Sequence, residues 1–377
     1  MTPRRVVLLG ATGSIGRQAV DVIARFPERF ELVGVVAGRD VAGLRALADR
    51  FGVARAAVVN PDAGAAVPAG WGVGLDAACE IAAMPSDTVC VAITGAAALR
   101  PTLAALDAGN TVASATKEVL VMAGDIVRAR SRASGARVVP IDSEHSALWQ
   151  CLRGEEPSSV ARLILTASGG PFRSRDPATF REITPEEALR HPTWTMGPKV
   201  TIDSATMMNK GLEIIEAHFL FDVDYARIEV LIHPTSIIHS MVEFRDGAVK
   251  AQLGVPDMRL PIALALTGGE RLPGIAPAPD LTAVSPLHLE PADPARFPAL
   301  PLARRAGELG GVVPAVLNAA NEVCVDAFLH GGCRFDEIVA TVGEAVEAAP
   351  RIDRPSLDDV VEADAWARRR VAGALVA

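Results

Sequence analysis

Two short stretches stand out by residue type and spacing. Asp142-Ser143-Glu144-His145 follows an apolar run ending at Ile141, and a second stretch runs Asp203-Ser-Ala-Thr-Met-Met-Asn209-Lys210-Gly-Leu-Glu213. Residues two apart on an extended segment point the same way, so Asp142 and Glu144 can converge. If the second stretch is helical, Asn209 and Glu213 share a face and Lys210 lies beside them. Carboxylates without thiolates or a histidine set suit a hard cation, Mg2+ or Mn2+. Plainer readings stay open: Asp142 as a helix N-cap, Glu213 as a solvated helix charge. Of 37 basic residues only Lys117, Lys199, Lys210 and Lys250 are lysines, so a lysine inside such a motif draws attention.

A second chemistry is written near the start. Gly10-Ala-Thr-Gly13-Ser-Ile-Gly16 follows a β-rich run and opens a helical one. Glycines there permit a tight turn and a close approach of a pyrophosphate to backbone N–H groups at a helix N-terminus. The second β-rich run ends in Gly38-Arg39-Asp40. An acid at that place binds a ribose diol, whereas an arginine accommodates a 2′-phosphate, so Arg39 favours NADPH while Asp40 could act either way. The tyrosine-lysine chemistry of short-chain reductases is excluded, because the only tyrosine, Tyr225, is followed four residues later by Glu229.

Such residues need a sheet to hold them. Candidate strands 6–9, 30–37, 56–59, 88–94, 111–115 and 137–141 alternate with helical patterns such as 14–25 and 99–108. That alternation predicts a Rossmann-like parallel sheet with ligands at its carboxyl edge. Residues 163–166, 228–232, 240–244 and 249–253 read as strands, with Asp246-Gly247 as a hairpin turn. The predicted architecture is α/β. It comprises an NADPH-binding domain over 1–142, a central α+β catalytic domain over 143–270, a Pro-rich linker over 271–301 and a C-terminal helical bundle over 302–377, with helices 316–329, 335–348 and 356–372.

Composition narrows the partners. The formal net charge of -8 argues against nucleic acid as the main partner. Five cysteines without CxxC spacing suggest free thiols in a reducing, cytoplasmic setting. No uncharged apolar run reaches the ~18 residues of a membrane span. The Arg4-Arg5 start superficially resembles an export signal, but the apolar run after it is short, and it reads as a first strand.

Longer motifs carry a specific likeness. Those already quoted are joined, in order, by Ala-Thr-Lys-Glu at 115–118, Pro-Ile-Asp-Ser-Glu-His at 140–145 and Thr-Ala-Ser-Gly-Gly-Pro-Phe-Arg at 166–173. Then come His-Pro-Thr-Trp-Thr-Met-Gly-Pro-Lys at 191–199, Ile-His-Pro-Thr-Ser-Ile-Ile-His-Ser-Met-Val at 232–242 and Leu-Asn-Ala-Ala-Asn-Glu at 317–322. Across nearly its whole length the chain resembles the 1-deoxy-D-xylulose 5-phosphate reductoisomerase family.

The resemblance implies a homodimeric enzyme that isomerises and reduces 1-deoxy-D-xylulose 5-phosphate to 2-C-methyl-D-erythritol 4-phosphate, by a retro-aldol and aldol sequence followed by reduction with NADPH. It implies that Asp142, Glu144 and Glu213 hold the metal, and that Lys117, Ser143 and Asn209 contact substrate hydroxyls and carbonyl. Ser168, Ser204, Asn209 and Lys210 would hold the phosphate, with His191, Trp194 and Met196 on a closing flap. Thr12, Gly13, Ser14, Ile15, Gly38, Arg39, Asp40, Thr116, Glu118 and Gly197 would contact NADPH. Two positions depart from the family pattern: Thr116 and Asp40 stand where asparagine is usual. Two other readings compete. One is a different NADP-linked dehydrogenase, for which Cys151 is the nearest candidate nucleophile; the other is a non-catalytic NADP-sensing protein.

Overall fold

The computed structural model describes residues 2–62, 65–194 and 196–376. The first elements in chain order are β1 (Arg4–Leu9), α1 (Ser14–Arg25), β2 (Phe30–Ala37), α2 (Val41–Phe51), β3 (Ala56–Val58), β4 (Gly72–Val73) and α3 (Leu75–Ala82). Next are β5 (Thr88–Val91), α4 (Leu99–Asp107), β6 (Thr111–Ser114), α5 (Lys117–Ser134), β7 (Val138–Pro140), α6 (Ser143–Leu152) and β8 (Val160–Ala167). Then follow α7 (Pro185–Ala188), α8 (Pro198–Thr206), α9 (Met208–Phe221), β9 (Ile228–Ile232), β10 (Ile238–Phe244), β11 (Val249–Leu253) and α10 (Arg259–Leu266). The chain ends with β12 (Glu290–Pro291), α11 (Ala299–Leu309), α12 (Val313–Leu329), α13 (Phe335–Glu347) and α14 (Leu357–Val376).

The chain forms two compact units. The first comprises Met1–Val119, Asp125–Ser146 and Asp257–Pro277; the second comprises Leu120–Gly124, Ala147–Pro256 and Ala278–Ala377. Residues 257–277, which the sequence places at the end of the central region and the start of a linker, thus belong to the first unit.

In the first unit seven strands form one sheet in the order β4-β3-β2-β1-β5-β6-β7, with parallel pairing throughout. Apart from the two-residue edge β4, this is the strand order of dinucleotide-binding sheets, with its reversal between β1 and β5. Strand β1 buries Val6, Val7, Leu8 and Leu9 completely, as a central strand covered on both faces must. Register then sets the edge. Leu9 lies beside Val36 and Val91, and Ser114 beside Pro140, so the segments leaving β1, β2, β5, β6 and β7 emerge along one rim.

The second unit contains a five-stranded mixed sheet, β11-β10-β8-β9-β12. Strands β8 and β9 are parallel, so the connection between them must cross over, and it carries α7, α8 and α9. Asp246 and Gly247 make the expected hairpin turn between β10 and β11. The long helix α12 packs against α13 and α14, and α11 packs against α9. The helical region begins at Ala299, a few residues earlier than periodicity suggested.

Two local expectations are corrected. Ser143 begins α6, so Glu144 lies in a helical first turn, and the extended alternation used to converge it with Asp142 does not apply. The 203–213 stretch is not one helix. Met207 adopts a left-handed φ of 64°, ending α8 and starting α9. Asn209 and Glu213 do share a face, because both fall in α9.

Candidate active site

The glycine turn at 10–16 follows from close packing at the end of β1. Gly10 has φ +84°, and a Cβ there would lie 2.3 Å from the Ala92 carbonyl oxygen, so only glycine fits. Gly16 meets the same turn: a Cβ would sit 2.1 Å from the Gly10 oxygen. Helix α1 starts at Gly13 with no side-chain cap, which leaves its amino-terminal dipole to be answered by something else. At the end of β2, Asp40 turns back and accepts a 2.8 Å hydrogen bond from the Gly43 N–H, capping α2. Its carboxylate is engaged with the fold, and exposed Arg39 is the cationic side chain of that turn.

Thr116 is buried and donates its hydroxyl proton to the Ile93 carbonyl at 2.6 Å, which ties the exits of β5 and β6 together. The following residue, Lys117, opens α5 and places Nζ 2.5 Å from Asp142 Oδ2 at the exit of β7. The Asp142 backbone oxygen accepts from the Ser146 N–H, so this residue occupies the N-cap position while its side chain pairs with Lys117. Ser143 donates to the Glu144 carboxylate. His145, which sequence reasoning passed over, is completely buried, with Nδ1 4.0 Å from Asp142 Oδ2.

The second unit carries the remaining set on the crossover after β8. Gly169 and Gly170 both have positive φ, and a Cβ at Gly170 would lie 2.7 Å from the Ser204 carbonyl oxygen. The turn bearing Ser168 is therefore pressed against the end of α8. Ser168 Oγ is 3.1 Å from His191 Nε2. His191 Nδ1 accepts from the backbone N–H of Thr193 at 3.1 Å and of Trp194 at 2.9 Å. The proton of the neutral ring must then sit on Nε2, which donates to Ser168. Burial holds the His191 pKa below its ordinary value, favouring this neutral form. Trp194 lies beside His239, ring centroids 6.2 Å apart. Met196 is half-buried, and Gly197 is exposed at the N-cap of α8.

Helix α9 buries charge. Lys210 is 3% exposed and Glu213 0%, and the two form an ion pair. Asn209 Nδ2 donates to Glu213 Oε1 at 2.5 Å. A buried ammonium and carboxylate are tolerated only when they answer each other and their remaining hydrogen-bonding groups are met. This rules out the solvated-charge reading of Glu213. Cys151 is buried in α6, and burial pushes its thiol up to about 11, the reverse of what a nucleophile needs.

His239 gives a pH prediction. Burial, helped by the charge of Lys210, lowers its pKa to about 4 against hydrogen bonding to the Val255 backbone. The unfolded chain takes up this proton near pH ~6.5, while the fold resists it, so the contribution to stability is present above that pH and lost on acidification. The loss between pH 7 and pH 5 should be about 2 kcal/mol. Urea unfolding of wild type and His239→Phe at both pH values checks this. Equal pH sensitivity in the two proteins would refute the assignment to His239.

A family described as 1-deoxy-D-xylulose 5-phosphate reductoisomerase matches residues 6–124, and C-terminal domain families of the same enzyme match 138–221 and 253–370. The 1-deoxy-D-xylulose 5-phosphate reductoisomerase of Cupriavidus pinatubonensis is 51% identical over 379 residues, covering 97% of this chain and 96% of the relative. The Kitasatospora griseola enzyme of the same name is 48% identical over 381 residues, covering 97% and 98%. The Zymomonas mobilis reductoisomerase solved in complex with NADPH superposes with a TM-score of 0.91 at 42% identity, covering 99% of both chains. A reductoisomerase solved with NADPH, fosmidomycin and magnesium gives 0.93 at 37% identity, covering 99% of this chain and 98% of that one.

Fold and kinship define a dinucleotide-dependent oxidoreductase with a parallel-sheet nucleotide domain. Within that class the chain belongs to the 1-deoxy-D-xylulose 5-phosphate reductoisomerase family.

Proposed function

We propose that this chain converts 1-deoxy-D-xylulose 5-phosphate to 2-C-methyl-D-erythritol 4-phosphate in the non-mevalonate isoprenoid route, using NADPH and Mg2+ or Mn2+. The observation that carries the reading is the buried Lys210–Glu213 pair on α9, flanked by Asn209, in a chain of this family. A sensor of NADP has no need to bury a lysine and a carboxylate together at that expense.

The residues present suit both groups. The crowded Gly10 turn and the uncapped start of α1 fit a pyrophosphate. Asp142, Glu144 and Glu213 offer the oxygen donors that a hard cation takes. When bound, the metal supplies Lewis acidity toward vicinal substrate oxygens and NADPH supplies the hydride. Lys117 holds a proton at Nζ beside Asp142 and, with Ser143 and Asn209, orients the substrate's hydroxyls and carbonyl. Ser168, Ser204, Asn209 and Lys210 bind its phosphate, and neutral His191 adds an N–H from the flap side. Trp194 and Met196 exclude water when the flap segment covers the substrate. Thr12, Gly13, Ser14, Ile15, Gly38, Arg39, Thr116, Glu118 and Gly197 line the NADPH contacts in this reading, and Asp40 acts mainly through α2.

The first unit would thus serve the cofactor and the second the substrate phosphate. The working form is a homodimer in a cytoplasmic setting; sedimentation at twice the chain mass tests the first, and cell fractionation the second. Among the described residues no helix is long and apolar enough to cross a membrane.

The test of function is NADPH oxidation by purified protein with the deoxyxylulose phosphate, with and without Mg2+ and with fosmidomycin added. Substrate- and metal-dependent oxidation blocked by fosmidomycin is expected; no oxidation with substrate and metal present would overturn the reading. In the same assay Arg39→Ala should weaken NADPH relative to NADH by roughly 10–150-fold, the worth of a charge-assisted hydrogen bond to the 2′-phosphate. An unchanged ratio would remove Arg39 from that role.

A further inference from the structure

Asp203 is buried, 1% exposed, at the junction of α8 and α9, and nothing in the reaction described above uses it. Each of its carboxylate oxygens has its own partner. Oδ2 lies 2.9 Å from Lys199 Nζ, in the first turn of α8 just after the flap segment. Oδ1 accepts a 2.7 Å hydrogen bond from Asn321 Nδ2, on the fully buried face of α12. The Asp203 backbone oxygen accepts from Thr206 Oγ1 at 3.2 Å, and Thr206 Oγ1 in turn accepts from the Met208 N–H at 3.2 Å. One residue therefore ties together the exit of the flap segment, the last turn of α8 with Ser204, the left-handed bend at Met207, the start of α9 with Asn209 and Lys210, and α12.

The bend needs such a tie. Met207 holds φ 64° without being glycine, a conformation that persists only where the surroundings over-determine it. The residues read above as phosphate ligands stand on both sides of it: Ser204 three residues before, Asn209 and Lys210 two and three residues after. If α8 rotated about the bend, Ser204 would part from Lys210. The bend's own hydrogen bonds, Met207 N–H to Ser204 O and the Thr206 hydroxyl bridge, are local; Asn321 supplies a buried side-chain hydrogen bond that refers it to a separate helix, beside the packing of α9 on α11.

We infer that Asp203, held by Lys199 and Asn321, is a positioning residue that sets the spacing of Ser204 and Lys210 for the substrate phosphate and anchors the flap's exit to α12. The inference rests on the phosphate reading given above. It adds a role for Lys199, Asp203 and Asn321, none of which need touch substrate.

The test uses the full-length enzyme with three variants. Asn321→Leu keeps the branched shape and removes the donor; Asp203→Asn keeps shape and removes the charge; Lys199→Met keeps the stem. For the first two, substrate KM should rise roughly tenfold or more, in keeping with loss of a hydrogen bond to a charged group. Lys199→Met should move KM in the same direction and less. In all three, kcat at saturating substrate and the NADPH Kd measured by fluorescence should stay within about threefold of wild type. A merely structural role would lower the thermal midpoint and the active fraction, hence the apparent kcat, while leaving KM alone. If Asp203→Asn does not fold, Asn321→Leu and Lys199→Met carry the decision. Unchanged KM in folded variants, with Lys210→Gln still raising it, overturns the positioning role alone. An unmoved KM in Lys210→Gln removes the phosphate reading, and this inference with it.

Discussion

Glu213→Gln is expected to lower turnover at least about a thousandfold, because the Lewis-acid contribution of a catalytic metal is worth several kcal/mol. The substitution keeps the side chain's volume and one oxygen but removes the charge that a divalent cation would share with it. Glu213 is 0% exposed and is held by Asn209 and Lys210, so its position is fixed by α9 before any metal arrives. Losing the charge also leaves Lys210 buried without its counter-ion, at about 3–5 kcal/mol in stability. Thermal unfolding must therefore accompany the kinetics. Asp142→Asn is the gentler companion, since Asp142 and Lys117 keep some solvent contact, with side chains 14% and 10% exposed. Both variants should retain NADPH affinity, because the turn around Gly10 and Arg39 is built from other strand ends. A folded variant keeping more than a tenth of wild-type turnover, or a wild-type rate that survives chelation, would sink the metal assignment.

Lys210→Gln is expected to lower kcat/KM by roughly 10–150-fold, through loss of a charged hydrogen bond to the phosphate. A compact ammonium can serve a phosphate from three directions, without the planar fork that arginine would impose. The ion pair with Glu213 gives this lysine a second task, because the same Nζ faces the carboxylate expected to ligate the metal. Binding energy from the non-reacting end can then reach the reacting end through one side chain. A substrate lacking its phosphate separates the two tasks. On that substrate Lys210→Gln should be impaired much less than on the full one. An equal loss on both would mean that Lys210 acts through Glu213 and does not bind the phosphate. A glutamine amide at 210 can still donate to Glu213 beside Asn209, so the stability cost is smaller than for an apolar replacement.

Much of the frame was legible along the chain. Strands 30–37, 228–232 and 249–253 and the helix 14–25 lie where alternation and periodicity placed them. The reason is local: runs such as Val6–Leu9 must be buried on both faces, and glycine is required where Gly10 crowds Ala92. The doubly wound class follows from the order of such segments. What failed was geometry inferred from an assumed local conformation. Extended alternation would converge Glu144 with Asp142, but Ser143 already begins a helix; the condition that the 203–213 stretch be helical holds only in two pieces, because Met207 breaks it. Neither Gly nor Pro marks that break, so no local signal announces it.

Residue types and spacing carry the chemical inventory: a glycine turn suited to a dinucleotide, scarce lysines among arginines, carboxylates suited to a hard cation, and the motifs that place the chain in its family. What each group is paired with depends on the folded chain. Asp40 caps α2, Thr116 spans to Ile93, Lys117 meets Asp142, Lys210 meets Glu213, and Asn321 reaches across the second unit to Asp203. Residue type and spacing report what a side chain can donate or accept. Whether that capacity is spent on the fold or kept for a ligand depends on which distant segment arrives beside it, and that is set by strand register and helix packing, which no short window of sequence contains.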